Sequence, residues 1–284
     1  MSDKVTAPMV RARKGGAKLK MVTAYDTPSA RIADRAGADI ILVGDSLANV
    51  VLGFETTLRV GMDEMVHHTA AVSRAAPRAL VVGDMPFLSF AVSPEETVRH
   101  AGRLMREGGA EAVKLEGGRK RVPMVEAVVN AEIPVMGHIG LTPQSVHALG
   151  GFRVQGKEPE TARGLLADAR ALEAAGVFAL VLEGVPDTLA GMITAAVTVP
   201  TIGIGAGAAV DGQVLVFHDV LGYHDGRLPK FVRRYAHLFD DAVAALGAFF
   251  GDVESGAFPS AEEAYAMPAE TARSLLEEGG ASGG

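Results

Sequence analysis

The chain has 284 residues, of which 48% are hydrophobic, 21% charged and only 5% aromatic, and its net charge is −7. This composition supplies a large aliphatic core and excludes a disordered chain, while the acidic balance argues against a nucleic-acid binder, which presents a basic face. The absence of Cys excludes disulfides, thiolate nucleophiles and Cys-held zinc or iron–sulfur centres, and no apolar run reaches the roughly 18 residues of a membrane helix.

Residues 1–16 are polar and irregular, and Arg11, Arg13 and Lys14, with Lys18 and Lys20 beyond them, make this stretch basic. It reads as a flexible, solvated N-terminal arm, with a transit segment as the alternative. From there on, short apolar runs alternate with helical patterns. The runs are KMVTAY (20–25), DIILVG (39–44), ALVVGD (79–84), EAVKLE (111–116), IPVMGH (133–138), FALVLE (178–183), PTIGIG (200–205) and QVLVFH (213–218). Each is rich in Val, Ile and Leu without strict alternation, as parallel strands buried on both faces read. Helical patterns fill Thr27–Ala36, Asp63–Ala75, Ser93–Glu107, Thr161–Ala174 and Asp187–Val197. Ser93-Pro94-Glu95-Glu96 is a capping box with Pro at the first helical position, and Thr142-Pro143 starts a further element in the same way. Gly37, Gly108-Gly109 and Gly176 stand where helices should stop.

A weak internal repeat supports this order: RAGADIILVGDS (35–46), REGGAEAVKLEGG (106–118) and AAGVFALVLEGV (174–185) share a helix end, a Gly, an apolar strand and an acid. Eight strands with helices between them predict an α/β fold, a closed (β/α)8 TIM barrel, with an open doubly wound sheet as the alternative. The expected organisation is an arm over 1–16, a catalytic barrel over 17–258, and a C-terminal helix and disordered tail over 259–284. The C-terminal helical extension is read at Arg233–Phe250 and Ala261–Glu278.

In a β/α barrel the active site forms at the C-terminal ends of the strands. Asp45, Asp84, Glu116 and Glu183 all fall there. One such acid is commonly a helix cap, but four around one mouth repel one another unless a cation sits among them. Oxygen donors without Cys suit Mg2+ better than zinc. Lys114 shares the strand face of Glu116 and would bind a substrate carboxylate, stabilise an enolate or neutralise the acids. His138 ends the fifth strand, either in contact with substrate or hydrogen-bonded behind the residues that are, and Ser46 adjoins Asp45. His67-His68 lies mid-helix without ligand spacing. The Gly-rich IGIGAGAAVDG (202–212) is either a tight strand-to-helix turn or a cradle for a phosphate or pterin tail; it lacks the dinucleotide fingerprint. No P-loop or G-x-S-x-G element is present.

At these residues the sequence resembles the ketopantoate hydroxymethyltransferase (3-methyl-2-oxobutanoate hydroxymethyltransferase) family from about Lys20 to Phe258. The resemblance is carried by MVTAYD (21–26), LVGDS (42–46), MVHHTAAVSR (65–74), GDMPF (83–87), VKLEGG (113–118), GHIGLTPQSV (137–146), GGFRVQGK (150–157), LVLEGVP (180–186), IGIGAG (202–207) and DGQVLVFHD (211–219). It implies a Mg2+-dependent barrel enzyme that moves a hydroxymethyl group from 5,10-methylenetetrahydrofolate to 3-methyl-2-oxobutanoate through a metal-stabilised enolate, in pantothenate biosynthesis. It implies Asp45 and Asp84 as metal ligands, with Glu116 joining them directly or through water. It places Asp45, Ser46, Asp84 and Lys114 on the 2-oxo acid, Glu183 as the proton acceptor and His138 close by. A cytoplasmic homo-oligomer, decamers among the family's forms, with small-molecule substrates and neither nucleic acid nor membrane as partner, is the further expectation. The chain departs from the family where Gly184 replaces Cys and Ala48 replaces Gly, and Val50–Leu58 is less typical, which puts pocket shape in doubt. The alternatives are an enzyme of the phosphoenolpyruvate mutase and isocitrate lyase type, whose lyases need a Cys-bearing loop this chain lacks, and a non-catalytic barrel kept for binding.

Overall fold

Eight short strands close on themselves as a parallel barrel: β1 Leu19–Thr23, β2 Ile40–Val43, β3 Leu80–Asp84, β4 Ala112–Glu116, β5 Val135–Gly140, β6 Ala179–Glu183, β7 Thr201–Ile204 and β8 Gly212–Leu215. Each pairs with its sequence neighbours, and β8 returns to β1 in the register Leu19↔Gly212 to Val22↔Leu215. The TIM barrel is therefore the observed architecture and the open sheet is not. The computed structural model describes residues 3–226 and 228–280.

The strands divide their side chains by the two-residue period of extended backbone. Outward residues such as Ile41, Val43, Val81, Val113, Leu180 and Leu182 pack under the helices. Inward residues such as Met21, Ile40, Leu80, Val82, Ala112, Met136, Ala179 and Val181 fill the barrel. Asp84, Lys114, Glu116, His138 and Glu183 continue the inward parity one step further along their strands. The same alternation that builds the apolar barrel interior thus delivers these polar side chains to its C-terminal rim.

The helices begin and end for local reasons. Asp26 caps Thr27–Arg35 by accepting from the Ser29 amide at 2.8 Å, and the Ser29 hydroxyl accepts from the Asp26 amide. Ser93 caps Pro94–Arg106 through the Glu96 amide at 3.1 Å. The box expected there is half formed: the Ser93 hydroxyl accepts from Glu96, and the Thr97 hydroxyl donates to the Ser93 carbonyl at 2.7 Å in place of a bond between the Glu96 side chain and the Ser93 amide. Helices Met62–Ser73, Pro159–Ala174 and Asp187–Ala196 match the sequence reading within two residues. The helix Val122–Asn130 does not appear in that reading. Its Val-rich composition is a poor helix signal, and it forms because Val125 and Val128 bury against the barrel. The last apolar run breaks earlier than read: Phe217 and His218 begin a helix, Phe217–Leu221, after the Thr23 hydroxyl takes the Phe217 amide at 2.9 Å.

The stretch read as a loose N-terminal arm is instead part of the barrel. Residues Ala7–Arg11 are helical, and Val5, Ala7 and Val10 join the apolar cluster inside the barrel floor. Its cations are used for anchoring. Lys4 meets Glu111 at 2.7 Å, Arg13 meets Asp39 at 3.2 Å, and Lys14 meets Asp211 at 2.9 Å. The domain boundary also moves: the chain separates into units Met1–Ala236 and His237–Gly284, so the long helix Leu238–Ser255 belongs to the second unit with Ala269–Gly280. Of the expected disordered tail, residues to Gly280 are helical, and 281–284 lie outside the described residues.

Asp211 is the centre of the floor. Its carboxylate accepts from the Thr201 amide at 2.9 Å, the Gly15 amide at 3.0 Å and the Lys14 ammonium at 2.9 Å. Burial alone would raise its pKa, but these donors outweigh it and hold the carboxyl below its usual range. A depressed native pKa contributes stability that is complete above the unfolded-state value and is lost as pH falls through the native one. Asp211→Asn should therefore lower stability at neutral pH by about 1–3 kcal/mol. The gap between variant and wild type, read from urea unfolding at a series of pH values, should close in the acid range below ordinary carboxylate titration.

Candidate active site

Five strand-end side chains and one loop side chain meet at the C-terminal mouth. Asp84 from β3 and Lys114 from β4 are register partners, as are Glu116 from β4 and His138 from β5. The Lys114 ammonium lies 2.8 Å from Asp84 Oδ1, 3.9 Å from Glu116 Oε1 and 3.3 Å from His138 Nδ1. His138 bridges two acids, with Nδ1 3.4 Å from Glu116 and Nε2 3.2 Å from Glu183 Oε2. Asp45 follows β2, and its own amide donates to Asp84 Oδ2 at 3.1 Å. Asp45, Asp84, Lys114, Glu116 and His138 are all buried; Glu183 is half-buried at the rim.

Two members of the site are absent from the sequence reading. Gln144 donates its side-chain amide to Asp45 Oδ2 at 3.0 Å and its backbone amide to Glu116 Oε2 at 3.1 Å. Tyr25, fully buried, bonds Ser46 Oγ at 2.8 Å, and its own carbonyl meets His68 Nδ1 at 2.6 Å. The signals were slight: a polar residue behind the Thr142-Pro143 turn, and a Tyr at the end of an apolar run.

The electrostatics follow from burial. Asp45 is raised well above the usual carboxylate range, first by burial and then by repulsion from Asp84 and Glu116. Asp84 is raised mainly by burial, against the pull of Lys114. Burial works against the Lys114 ammonium too, but Asp84, Glu116 and Asp45 together outweigh it and raise its pKa. For His138, burial and Lys114 oppose the charged form, yet Glu116 and Glu183 prevail and raise it to about 9. Counted as formal charges, Asp45, Asp84, Glu116 and Glu183 against Lys114 and a protonated His138 come to −2, and a divalent ion would let Asp45 and Asp84 ionise together.

The donor set fits a hard divalent metal. Its atoms are carboxylate oxygens, and the buried Gln144 Oε1 has no hydrogen-bond partner. Among the described residues no three His, Asp or Glu side chains converge on one point. The reason is visible: Lys114 stands between Asp84 and Glu116, and Gln144 holds Asp45. A cation among these acids would relieve the repulsion that raises Asp45.

The site encloses a cavity of about 160 Å³, lined on its apolar side by Leu42, Val181, Ile204 and Val214. The two positions at which the resemblance leads to other residues are Ala48 and Gly184. Ala48 is wholly buried. Gly184 sits in the left-handed region at φ 54°, and a Cβ there would stand 3.1 Å from Leu141 Cβ. The turn after β6 therefore favours glycine in this chain. Within the atypical stretch, Asn49 Nδ2 holds the Phe54 carbonyl at 2.8 Å and Arg59 lies over the Phe54 ring at 5.1 Å. His67 is exposed and His68 half-buried, at helix surface and core edge as read.

Fold and site together define a (β/α)8 barrel enzyme that works with carboxylates, one lysine and one histidine at the strand ends. A family model described as ketopantoate hydroxymethyltransferase matches residues 4–261. The chain is 56% identical over 269 residues to the 3-methyl-2-oxobutanoate hydroxymethyltransferase of Oleidesulfovibrio alaskensis, covering 95% of this chain and 93% of that one. It is 59% identical over 264 residues to the enzyme of the same name from Moorella thermoacetica, covering 93% and 98%. The chain belongs to the ketopantoate hydroxymethyltransferase family. Solved structures of like fold include a putative phosphonomutase from Burkholderia cenocepacia (TM-score 0.62, 18% identity, 87% of this chain and 99% of that one). Another is 2,3-dimethylmalate lyase, of the PEP mutase/isocitrate lyase superfamily (TM-score 0.57, 17% identity, 98% and 99%). At those identities the likeness is one of fold.

Lys114→Met should leave Asp84 and Glu116 buried without their cation, at a cost of about 3–5 kcal/mol. Chemical denaturation at neutral pH measures this, and a loss below 1 kcal/mol would show that solvent already reaches the acids.

Proposed function

We propose that this chain transfers a hydroxymethyl group from 5,10-methylenetetrahydrofolate to 3-methyl-2-oxobutanoate, giving ketopantoate, the step of pantothenate biosynthesis that the names of its relatives describe. The observation that carries the chemistry is the excess of buried carboxylate over cation around a small cavity whose rim holds a further, half-buried acid, Glu183. Asp45 and Asp84 would hold Mg2+, with Glu116 joining them directly or through water. When bound, the ion supplies Lewis-acid polarisation of the 2-oxo group.

The chain's own residues do the rest. Ser46, oriented by the Tyr25 hydroxyl, and Lys114 bind the 2-oxo acid beside Asp45 and Asp84. The isopropyl end faces Leu42, Val181 and Val214. Glu183 accepts the proton from C3. His138, 3.2 Å from Glu183, fixes that carboxylate and shares its charge. As the proton leaves, negative charge collects on the 2-oxo oxygen, and Lys114 is already in place to stabilise it without reorganisation. C3 then attacks the methylene carbon of the folate, whose bond to N10 has opened; water replaces N5 on that carbon and supplies the hydroxyl oxygen, and tetrahydrofolate leaves with N5 and N10 carrying the proton taken from C3 and the one released by water.

The exposed apolar side chains Val243, Leu246, Phe250 and Val253 of helix Leu238–Ser255 support a homo-oligomer, for which a decamer is the state the family resemblance suggests. A cytoplasmic location accords with a biosynthetic step on small soluble substrates. Among the described residues no helix is long and apolar enough to cross a membrane.

Glu183→Gln should keep its fold and its response to metal, yet exchange the C3 proton of 3-methyl-2-oxobutanoate for deuterium about 10²–10⁴-fold more slowly. Proton NMR in D2O reads this directly, and exchange at the wild-type rate would remove Glu183 from the role of base. Mg2+ should raise the melting temperature of the wild-type protein and a chelator should reverse the rise. Asp84→Asn should lose most of that shift.

A further inference from the structure

The wall of the inner cavity carries a hydroxyl with nothing to bond. Thr57 is buried, 6% exposed, and among the described residues its Oγ1 has no hydrogen-bond partner. It lines the cavity of about 160 Å³ together with Asp45, Ser46 and Lys114. A wider space of about 810 Å³ lies beyond, and Asn49, Phe152 and Glu183 edge both. Two further atoms of the inner wall lack hydrogen bonds but sit in ion pairs: Asp84 Oδ1 is 2.8 Å from the Lys114 ammonium, and His138 Nε2 is 3.2 Å from Glu183. The neighbouring polar side chains are committed as well. Ser46 Oγ meets the Tyr25 hydroxyl at 2.8 Å, Asn49 Nδ2 holds the Phe54 carbonyl at 2.8 Å, and the Thr23 hydroxyl receives the Phe217 amide at 2.9 Å. Stranding a buried hydroxyl is unfavourable, and native structures seldom do so without a reason.

The place of Thr57 supplies the reason. It opens the short 3-10 turn Thr57–Arg59, inside the stretch whose sequence is least typical of the family. The turn is fixed from behind, where Val60 is buried and its amide bonds the Thr57 carbonyl. It packs against Leu47–Val50, the helix that follows Ser46, and against Pro143–Ser145, the turn that carries Gln144. Thr57 therefore stands on the side of the cavity that holds Asp45 and Ser46, whereas β6, β7 and β8 contribute the apolar wall of Val181, Ile204 and Val214. A branched 2-oxo acid has one apolar end and one charged end. With its isopropyl group on the apolar wall, its carboxylate comes to the side of Ser46 and Thr57. We propose that Thr57 is a substrate-binding residue whose hydroxyl donates to the carboxylate of the 2-oxo acid beside Ser46, so that the cavity selects an acid over a neutral carbonyl compound. The inference rests on the hydroxymethyl-transfer reading above and deepens it. A neutral donor suits this place, because a further cation would compete with a metal for the surrounding acids.

Valine keeps the branched shape of Thr57 and removes the hydroxyl, while serine keeps the hydroxyl. Without ligand, T57V should melt at or above the wild-type temperature, since it removes an unsatisfied buried group. With Mg2+ present, calorimetric titration should show it binding 3-methyl-2-oxobutanoate about 10- to 100-fold more weakly, the range for a hydrogen bond to a charged group. T57S should recover most of that affinity. 2-Hydroxy-3-methylbutanoate, which keeps the carboxylate and lacks the oxo oxygen, should suffer the same loss on T57V. Equal affinity of T57V and wild type for the oxo acid would overturn the inference. So would a loss confined to the oxo acid, which would put the hydroxyl on the oxo oxygen. A T57V protein that melts lower, with no recovery of affinity in T57S, would make Thr57 a packing residue and overturn it too. A wild-type protein that binds neither acid would remove the transfer reading itself, and this inference with it.

Discussion

Lys114 is the interaction on which the mouth of this barrel depends. Its pair with Asp84 at 2.8 Å is worth about 6 kcal/mol at an effective dielectric of 20. Removing the two ions from water costs several kcal/mol each. The pair alone therefore roughly breaks even. What makes the charged lysine secure is that Glu116 and Asp45 also face it. The same arrangement leaves Asp45 raised well above the usual carboxylate range, by burial and by repulsion from Asp84 and Glu116. Among the described residues the side-chain donor to Asp45 is Gln144, a neutral amide that satisfies an oxygen without balancing a charge. The cluster leaves the buried Gln144 Oε1 without a partner and is incomplete in charge, which is the condition of a site built around a cation.

The two ends of the barrel spend their charges differently. At the floor, Lys4, Arg13 and Lys14 each meet an acid at or near a strand start, and Asp211 gathers two amides and an ammonium. There the cations and acids are matched and the interior is sealed by Val5, Ala7 and Val10. At the mouth the acids outnumber the cations and the interior opens into two spaces. Parallel strands enforce this polarity, because all eight present their carboxyl ends to one side. A mismatch of charge is tolerable only at the end where a ligand can complete it.

Much of this was legible in the sequence. Period-two strands ending in an acid place Asp84, Glu116 and Glu183 on one rim by counting alone, and Lys114 follows from sharing parity with Glu116. What escaped was whatever depends on tertiary contact. The N-terminal segment looks solvated because its apolar residues are scattered among charged and polar ones without a strand or helix period, yet three apolar side chains and three ion pairs fix it to the floor. Helix Val122–Asn130 is written in β-branched residues and exists because the barrel needs that face covered. Gln144 and Tyr25 carry no motif of their own; each matters through the one atom it offers to Asp45 or Ser46.

Gly184 shows how a departure from a family pattern can be read physically. The resemblance leads to Cys at that place, beside the acid that takes the proton. In this chain the backbone there is left-handed, and Leu141 stands where a side chain would go. A side chain at this turn would be strained, costing on the order of 1 kcal/mol or more for a non-glycine residue. Leu141 Cβ lies 3.1 Å from where a Cβ on Gly184 would stand, while the Gly184 amide bonds the Ile204 carbonyl and its own carbonyl receives the Gln155 amide, both at 2.9 Å. Those two bonds tie the end of β6 to β7 and to the loop that carries Phe152 and Arg153. The carboxylate of Glu183 is therefore held by backbone on its C-terminal side and by His138 at its tip, so that the rim acid keeps its place without the neighbouring thiol.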